Sequence, residues 1–444
     1  MVTATTGMTE LMGTQRINQA GRLEIGGCDA VDLARTYGTP LYVLDEDLVR
    51  ANCRAFRDAF QRYYPCAHVA YAGKAFLCVA MARIIAEEGL HLDVASGGEL
   101  YTAHTAGFPM EAVALHGNFK SEAELTLALE LGVGRIVVDN EPELEDLARL
   151  AARQGKIAHV LIRTAPGVDP HTHQKISTGQ ADTKFGLNIT NGSALRAMTR
   201  ALELPSLKLY GIHAHVGSQL LDTEAHETAA DVLCQLLAEA RDRAGFVADE
   251  LILGGGLGIR YMPGDKPPSV DQFVRVLIDA VKAALARYGV AEPELGVEPG
   301  RSIVGEAGVT LYTVGPVKEV PIPEEPGTRT YVSVDGGLSD NPRPVMYGAR
   351  YQALVANRAG DDAARHVRVS GKHCETDTLL PEVSLADPRP GDILAVLSTG
   401  AYNQSMASNY NRFTRPPVVA VRGGEAWVIV RRETMDDLLR SDVF

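Results

Sequence analysis

Short apolar runs rich in β-branched and aliphatic residues recur along the first two-thirds of the chain. They fall at about 67–72, 90–94, 112–116, 135–139, 158–163, 208–215, 250–254 and 294–298. Each has the length of a strand, and between most of them lie stretches whose apolar positions repeat with helical spacing. In Glu122–Leu131, for example, Leu125, Ala128, Leu129 and Leu131 share a face, and Gly132 is placed to close the helix. A second helix is predicted from Val270 to Tyr288, after the entry Pro267-Pro268-Ser269. Eight strands alternating with helices predict an α/β fold, and a (β/α)8 barrel fits the count better than an open doubly wound sheet.

Beyond about residue 305 the texture changes. Thr310–Val314, Thr330–Val334, His366–Val369, Asp392–Leu397 and Ala426–Val430 all read as strands. Turns rich in proline and glycine separate them, among them Pro321-Ile322-Pro323 and Pro388-Arg389-Pro390-Gly391. Such a pattern predicts a mostly antiparallel β domain, a sandwich or barrel, which Leu41–Leu44 near the N-terminus joins. The expected division is a barrel over 45–308 and a β domain built from 1–44 and 309–444.

Composition narrows the class. At 444 residues the chain is long for one core, and 45% hydrophobic with 22% charged residues is ordinary for a globular protein. A formal net charge of −13 argues against nucleic acid and anionic membrane as partners. No apolar run is long enough to span a bilayer, and Met1–Gln19 lacks the basic leader and apolar core of a signal peptide, so a cytoplasmic location is expected. The six cysteines lack CxxC spacing, which predicts neither a disulfide framework nor a metal site.

In a (β/α)8 barrel the chemistry gathers where strands end, because the following loops converge on one face. Reading those ends gives Lys74 after the first strand and Asp93 after the second. His116 follows the third, His213 and His215 the sixth, Gly254-Gly255-Gly256-Leu257-Gly258 the seventh, and Glu298-Pro299-Gly300-Arg301 the eighth. Taken alone, an aspartate there is a helix cap and a histidine a packing residue. The glycine run does not match the dinucleotide fingerprint. Glycines do, however, let a backbone approach a phosphate closely and offer it N–H groups. An amine nucleophile, a phosphate cradle and a carboxylate on one face together describe a pyridoxal phosphate site.

Six tracts carry a resemblance. Tyr71-Ala72-Gly73-Lys74, His213-Ala214-His215-Val216-Gly217-Ser218-Gln219, the Gly254–Gly258 turn, Glu298-Pro299-Gly300-Arg301, Cys374-Glu375 and Gly400-Ala401-Tyr402 occur in this order. From about residue 40 to its C-terminus the chain thereby resembles the fold-type III pyridoxal phosphate decarboxylases. Within that group it is similar to the diaminopimelate decarboxylases, carbon–carbon lyases that convert meso-2,6-diaminopimelate to L-lysine and CO2 at the end of lysine biosynthesis. The resemblance implies that Lys74 carries the cofactor, that His215 stacks on its ring, and that Glu298 pairs with the ring nitrogen. It implies Ser218, Gly254, Gly255, Gly256, Gly300 and Arg301 around the phosphate, with Asp93 and Tyr402 also at the cofactor.

The same resemblance speaks to substrate. Arg301, Arg343 and Tyr347 match positions that hold the remote carboxylate, a task suited to the planar fork of arginine. Glu375 matches the acid that reads the remote ammonium group, Tyr402 touches substrate as well as cofactor, and Cys374 is the implied proton donor. The loop carrying Cys374 reaches a neighbouring subunit in this family, which implies a homodimer with shared sites. The chain departs from the family pattern at Gly73, Ala214, Phe119 and Thr376. None of these removes a catalytic group, but Phe119 and Thr376 leave substrate preference open. Decarboxylation of ornithine, of a D-amino acid or of carboxynorspermidine is the alternative activity. A non-catalytic binding protein is the alternative class, against which the retention of Lys74 and Cys374 argues.

Overall fold

A computed structural model describes residues 10–168, 183–323 and 326–443. The first nine residues of the N-terminal segment considered above lie outside them. The chain divides into two compact units, one of residues 52–258 and 267–302, the other of 1–51, 259–266 and 303–444.

The first unit is a closed parallel barrel. Its strands are β1 (Ala67–Ala72), β2 (His91–Val94), β3 (Val113–Leu115), β4 (Arg135–Val138), β5 (Ala158–Ala165), β6 (Leu207–His213), β7 (Glu250–Ile252) and β8 (Glu294–Val297). Each pairs in parallel with the next, and β8 closes on β1 through Leu295↔Ala67, Gly296↔His68 and Val297↔Val69. Closure leaves no unpaired edge, and helices outside with side chains inside keep both faces of every strand from water. This is why Leu92, Leu115, Val138, Ile162 and Leu251 are fully or almost fully buried.

The helices obey local rules. Glu122–Leu131 opens on a capping box, with Ser121 and Glu124 satisfying each other's backbone N–H, and closes on Gly132 at φ 72°. Val270–Tyr288 begins with Ser269 accepting from the Gln272 N–H and ends at Gly289. Both helices have the predicted bounds. Strand β6 stops two residues before its predicted end, so Ala214 and His215 lie on the loop.

The second unit is built on a nine-stranded sheet with a small three-stranded sheet near the N-terminus. Most pairings are antiparallel; Val418–Arg422 on Leu41–Asp45 and Thr328–Val334 on Arg365–Ser370 are parallel. The strand predicted at 310–314 runs from Gly308 to Pro321, with a register shift between Val314 and Val317. Both faces of this sheet are covered. Along Ile393–Val396, Ile393 and Ala395 enter one apolar cluster while Leu394 and Val396 enter the other. Alternate side chains point to opposite faces, so a strand covered on both sides reads as an unbroken apolar run.

Three strands of the nine-stranded sheet escape the sequence reading: Ala353–Val355, Thr378–Leu385 and Val418–Arg422. The second contains Pro381 and the third follows Pro416-Pro417, residues that argue against a strand when tertiary context is unknown. Among the described residues no helix is long and apolar enough to cross a membrane.

Candidate active site

The barrel places its candidate residues at the ends of the strands. Lys74 sits in the single 3-10 turn Gly73–Ala75 that continues β1, and its side chain is exposed. At Gly73 an added Cβ would come within 2.9 Å of the Asp93 carbonyl oxygen, so the smallest residue suits this turn. Asp93, His116, His213 and Glu298 form a buried cluster across the barrel mouth. Glu298 Oε2 lies 2.9 Å from His213 Nε2, Glu298 Oε1 lies 3.2 Å from His116 Nε2, and Asp93 Oδ1 lies 3.5 Å from the same nitrogen. The two imidazoles meet edge to face at 4.9 Å.

Electrostatics assign charge within this cluster. Burial pushes His213 down to about 4, so the ring is neutral and donates Nε2–H to Glu298. Burial alone would raise the Glu298 carboxyl, but the imidazoles of His213 and His116 outweigh it and hold the group well below the usual carboxylate range. Asp93 moves the other way, raised chiefly by burial. Glu298 is therefore an ionised carboxylate at the barrel mouth. Ligand-type atoms of His116, His213 and Glu298 lie within 4.8 Å of one another, the spacing of a metal centre. The bond from His213 already engages the carboxylate, and the cluster is a hydrogen-bonded charge network.

Next to it, His215 is held well below its usual range by burial and by the Lys74 charge, so it too is neutral. Its Nδ1 accepts the Gly255 N–H at 3.2 Å, which fixes the ring against the glycine run. That run is sterically closed. A Cβ on Gly254 would come within 2.5 Å of the Ala214 carbonyl oxygen, and one on Gly255 within 2.2 Å of the Glu298 carbonyl oxygen. Gly254 also takes φ +68°, and Gly256 takes φ +123°. Arg301 is buried and donates from Nη2 to Ser218 Oγ at 2.9 Å, joining the loops after β6 and β8. Gly300 packs tightly on Ala72, where a Cβ would come within 3.0 Å of the alanine Cβ.

These residues fit pyridoxal phosphate. A glycine backbone that excludes side chains suits a phosphate, an ionised carboxylate suits a protonated ring nitrogen, and a neutral imidazole suits a ring face. The fit also includes the buried His213 Nδ1, which has no hydrogen-bond partner among the described residues. His116 and His213 are the residues that sequence reasoning undervalued. Their position after strands was legible, but their role depends on Glu298, which is distant in sequence.

The remaining candidates lie in the β unit. Arg343 begins the short helix Arg343–Tyr347 and donates from Nε to Tyr351 Oη at 3.0 Å. Its guanidinium faces the rings of Tyr402, Tyr347 and Tyr261 at 5.7, 5.8 and 5.9 Å, so three of the predicted residues meet in one aromatic cage. Tyr402 takes φ 61°, a left-handed backbone rare for a side-chain residue. Cys374 and Glu375 are exposed on the loop before Thr378–Leu385; Cys374 is therefore not a core cysteine. Phe119, one of the departures from the family pattern, is 83% exposed in the barrel unit.

Comparison with known proteins shows the family. Residues 46–305 match the family model described as pyridoxal-dependent decarboxylase, pyridoxal binding domain. The diaminopimelate decarboxylase of Bacillus subtilis (strain 168) is 50% identical over 434 residues, covering 98% of each chain. That of Mycobacterium tuberculosis (strain H37Rv) is 45% identical, covering 96% of each. The crystal structure of diaminopimelate decarboxylase from M. jannaschii in complex with L-lysine superposes with a TM-score of 0.89 at 34% identity, covering 97% of this chain and 98% of the other.

Proposed function

From the premise that this chain belongs to the diaminopimelate decarboxylases, within the pyridoxal-dependent decarboxylase family, we propose that it converts meso-2,6-diaminopimelate to L-lysine and CO2. The observation that carries the reading is the ionised Glu298 buried at the barrel mouth, on the strand ends that also supply Lys74, His215 and the glycine run. When bound, pyridoxal phosphate supplies an electron sink for the bond to the departing carboxylate. Lys74 would hold the cofactor through Nζ. Glu298, oriented by His213 and His116, keeps a proton on the ring nitrogen. His215 supports the ring, and Ser218, Gly254–Gly256, Gly300 and Arg301 bind phosphate.

The substrate carries an amine and a carboxylate at each end, so recognition of the remote end needs one cation and one anion. Arg343 in its aromatic cage, with Tyr347 and Arg301, supplies the first, and Glu375 supplies the second. Cys374 delivers a proton from Sγ to the carbon that has lost its carboxylate. On this reading residues 45–308 form the cofactor domain, and 1–44 with 309–444 form the β domain. The working unit is a cytoplasmic homodimer in which Cys374 and Glu375 serve the partner's site. The direct test is lysine formation from meso-diaminopimelate by purified protein supplied with pyridoxal phosphate, with one CO2 per lysine. Protein that binds the cofactor but turns over only ornithine, a D-amino acid or carboxynorspermidine in a parallel panel would overturn the assignment.

A further inference from the structure

The short turn Tyr410–Arg412 grips three consecutive residues of the loop that bears Cys374. Tyr410 Oη donates a 2.5 Å hydrogen bond to Glu375 Oε1. The side-chain oxygen of Asn411 accepts the Cys374 N–H at 3.1 Å. The Tyr410 ring lies nearly parallel to the His373 imidazole, with centroids 5.9 Å apart and planes at 18°. The far side of this grip is itself fixed. His373 is fully enclosed, and its Nδ1 lies 2.5 Å from Asp377 Oδ2. The Asp377 carboxylate also accepts the backbone N–H groups of His373 at 3.2 Å and Leu338 at 2.8 Å. Gly337 and Gly371 make the room, since a Cβ on either would come within 2.0 Å of Asp377 Oδ2. Two successive non-glycine residues in the turn, Asn411 at φ 51° and Arg412 at φ 59°, occupy the left-handed region. Such a conformation persists where surrounding contacts over-determine it.

We propose that Tyr410 is a specificity-positioning residue: its hydroxyl holds Glu375 in the orientation in which that carboxylate receives the substrate's remote ammonium group. The inference rests on the reading above, in which Glu375 has that role. An exposed glutamate otherwise spreads over many rotamers, and ordering it costs binding free energy. The tyrosine bond orders it before substrate arrives, which is preorganisation. Because the hydroxyl donates to Oε1, Oε2 is left to accept from the ammonium.

The test compares Tyr410→Phe with the wild-type holoenzyme, reading kcat and KM for meso-diaminopimelate and the inhibition constant of D-2-aminoheptanedioate, which lacks the remote amine. Loss of one charge-assisted hydrogen bond is expected to raise KM about tenfold, with kcat within about twofold and the inhibition constant unchanged. In a Glu375→Gln background the same change is expected to move KM by less than about twofold, because the two residues act as one unit. An inhibition constant that rises in parallel with KM would show a merely structural role and overturn the proposal, as would an unchanged KM. Wild-type enzyme that makes no lysine defeats the functional reading itself, and it does so before any variant is measured.

Discussion

The barrel and the β unit hold their candidate residues by different means. In the barrel, Lys74, Asp93, His215 and Glu298 stand at the ends of strands that repeat, and the closed hydrogen-bonded sheet brings those ends together. In the β unit, Cys374 and Glu375 stand on a loop whose conformation depends on a turn 35 to 37 residues later in the chain. A repeating scaffold places functional groups by topology, so each strand end can be read locally. A loop is placed by side chains from other loops, which no local pattern announces.

The largest expected effect tests the barrel half of this comparison. Lys74→Ala should lower kcat on the order of 10^4-fold or more, as removal of a covalent group does, and should abolish the visible absorbance of bound cofactor. Cys374→Ala tests the other half. It should lower kcat by about 10^2- to 10^4-fold, the range of a lost general acid, and leave cofactor absorbance intact. The division of labour fails if Cys374→Ala loses cofactor, or if Lys74→Ala retains it.

The smallest effect separates the two units by the sign of their response to pH. His213, ordinarily near 6.5, is pushed down to about 4 by burial. Between those values the unfolded chain binds the extra proton, so this group's contribution to stability is lost as pH falls from about 6.5 toward 4. Asp340 in the β unit, where it accepts from Tyr312 Oη and the Gly337 N–H, is raised to about 7 by burial. For an acid raised in the folded state the sign reverses, and stability is lost as pH rises from about 4 to 7. Melting temperatures taken between about pH 4.5 and 7.5 should therefore lose part of their acid-side decline in His213→Gln and part of their alkaline-side decline in Asp340→Asn. Equal slopes in both variants and wild type would contradict these assignments.

Much of this was legible in the sequence because it rests on local chemistry. The helix ending at Gly132 and the one entered through Ser269 are fixed by caps within a few residues of their ends. The eight barrel strands announce themselves as apolar runs because each is covered on both faces. Strand Thr378–Leu385 did not, since Pro381 is tolerated only by virtue of where that strand lies. The aromatic cage of Arg343 draws on Tyr261 and Tyr402, from two separate segments of the unit, and no spacing rule connects them.

The sequence by itself determined the fold class, the strand ends and the residue types that make a pyridoxal phosphate site, with Lys74 first among them. Periodicity, capping and motif order are properties of neighbouring residues and survive in a one-dimensional reading. Only the tertiary structure decided which charge each group carries and which residues hold it there. Glu298 is ionised because His213 and His116 reach it from other strands, and Glu375 is oriented because Tyr410 reaches it from another loop. Charge and orientation are set by burial and by partners distant in the chain, and these exist only once the chain has folded.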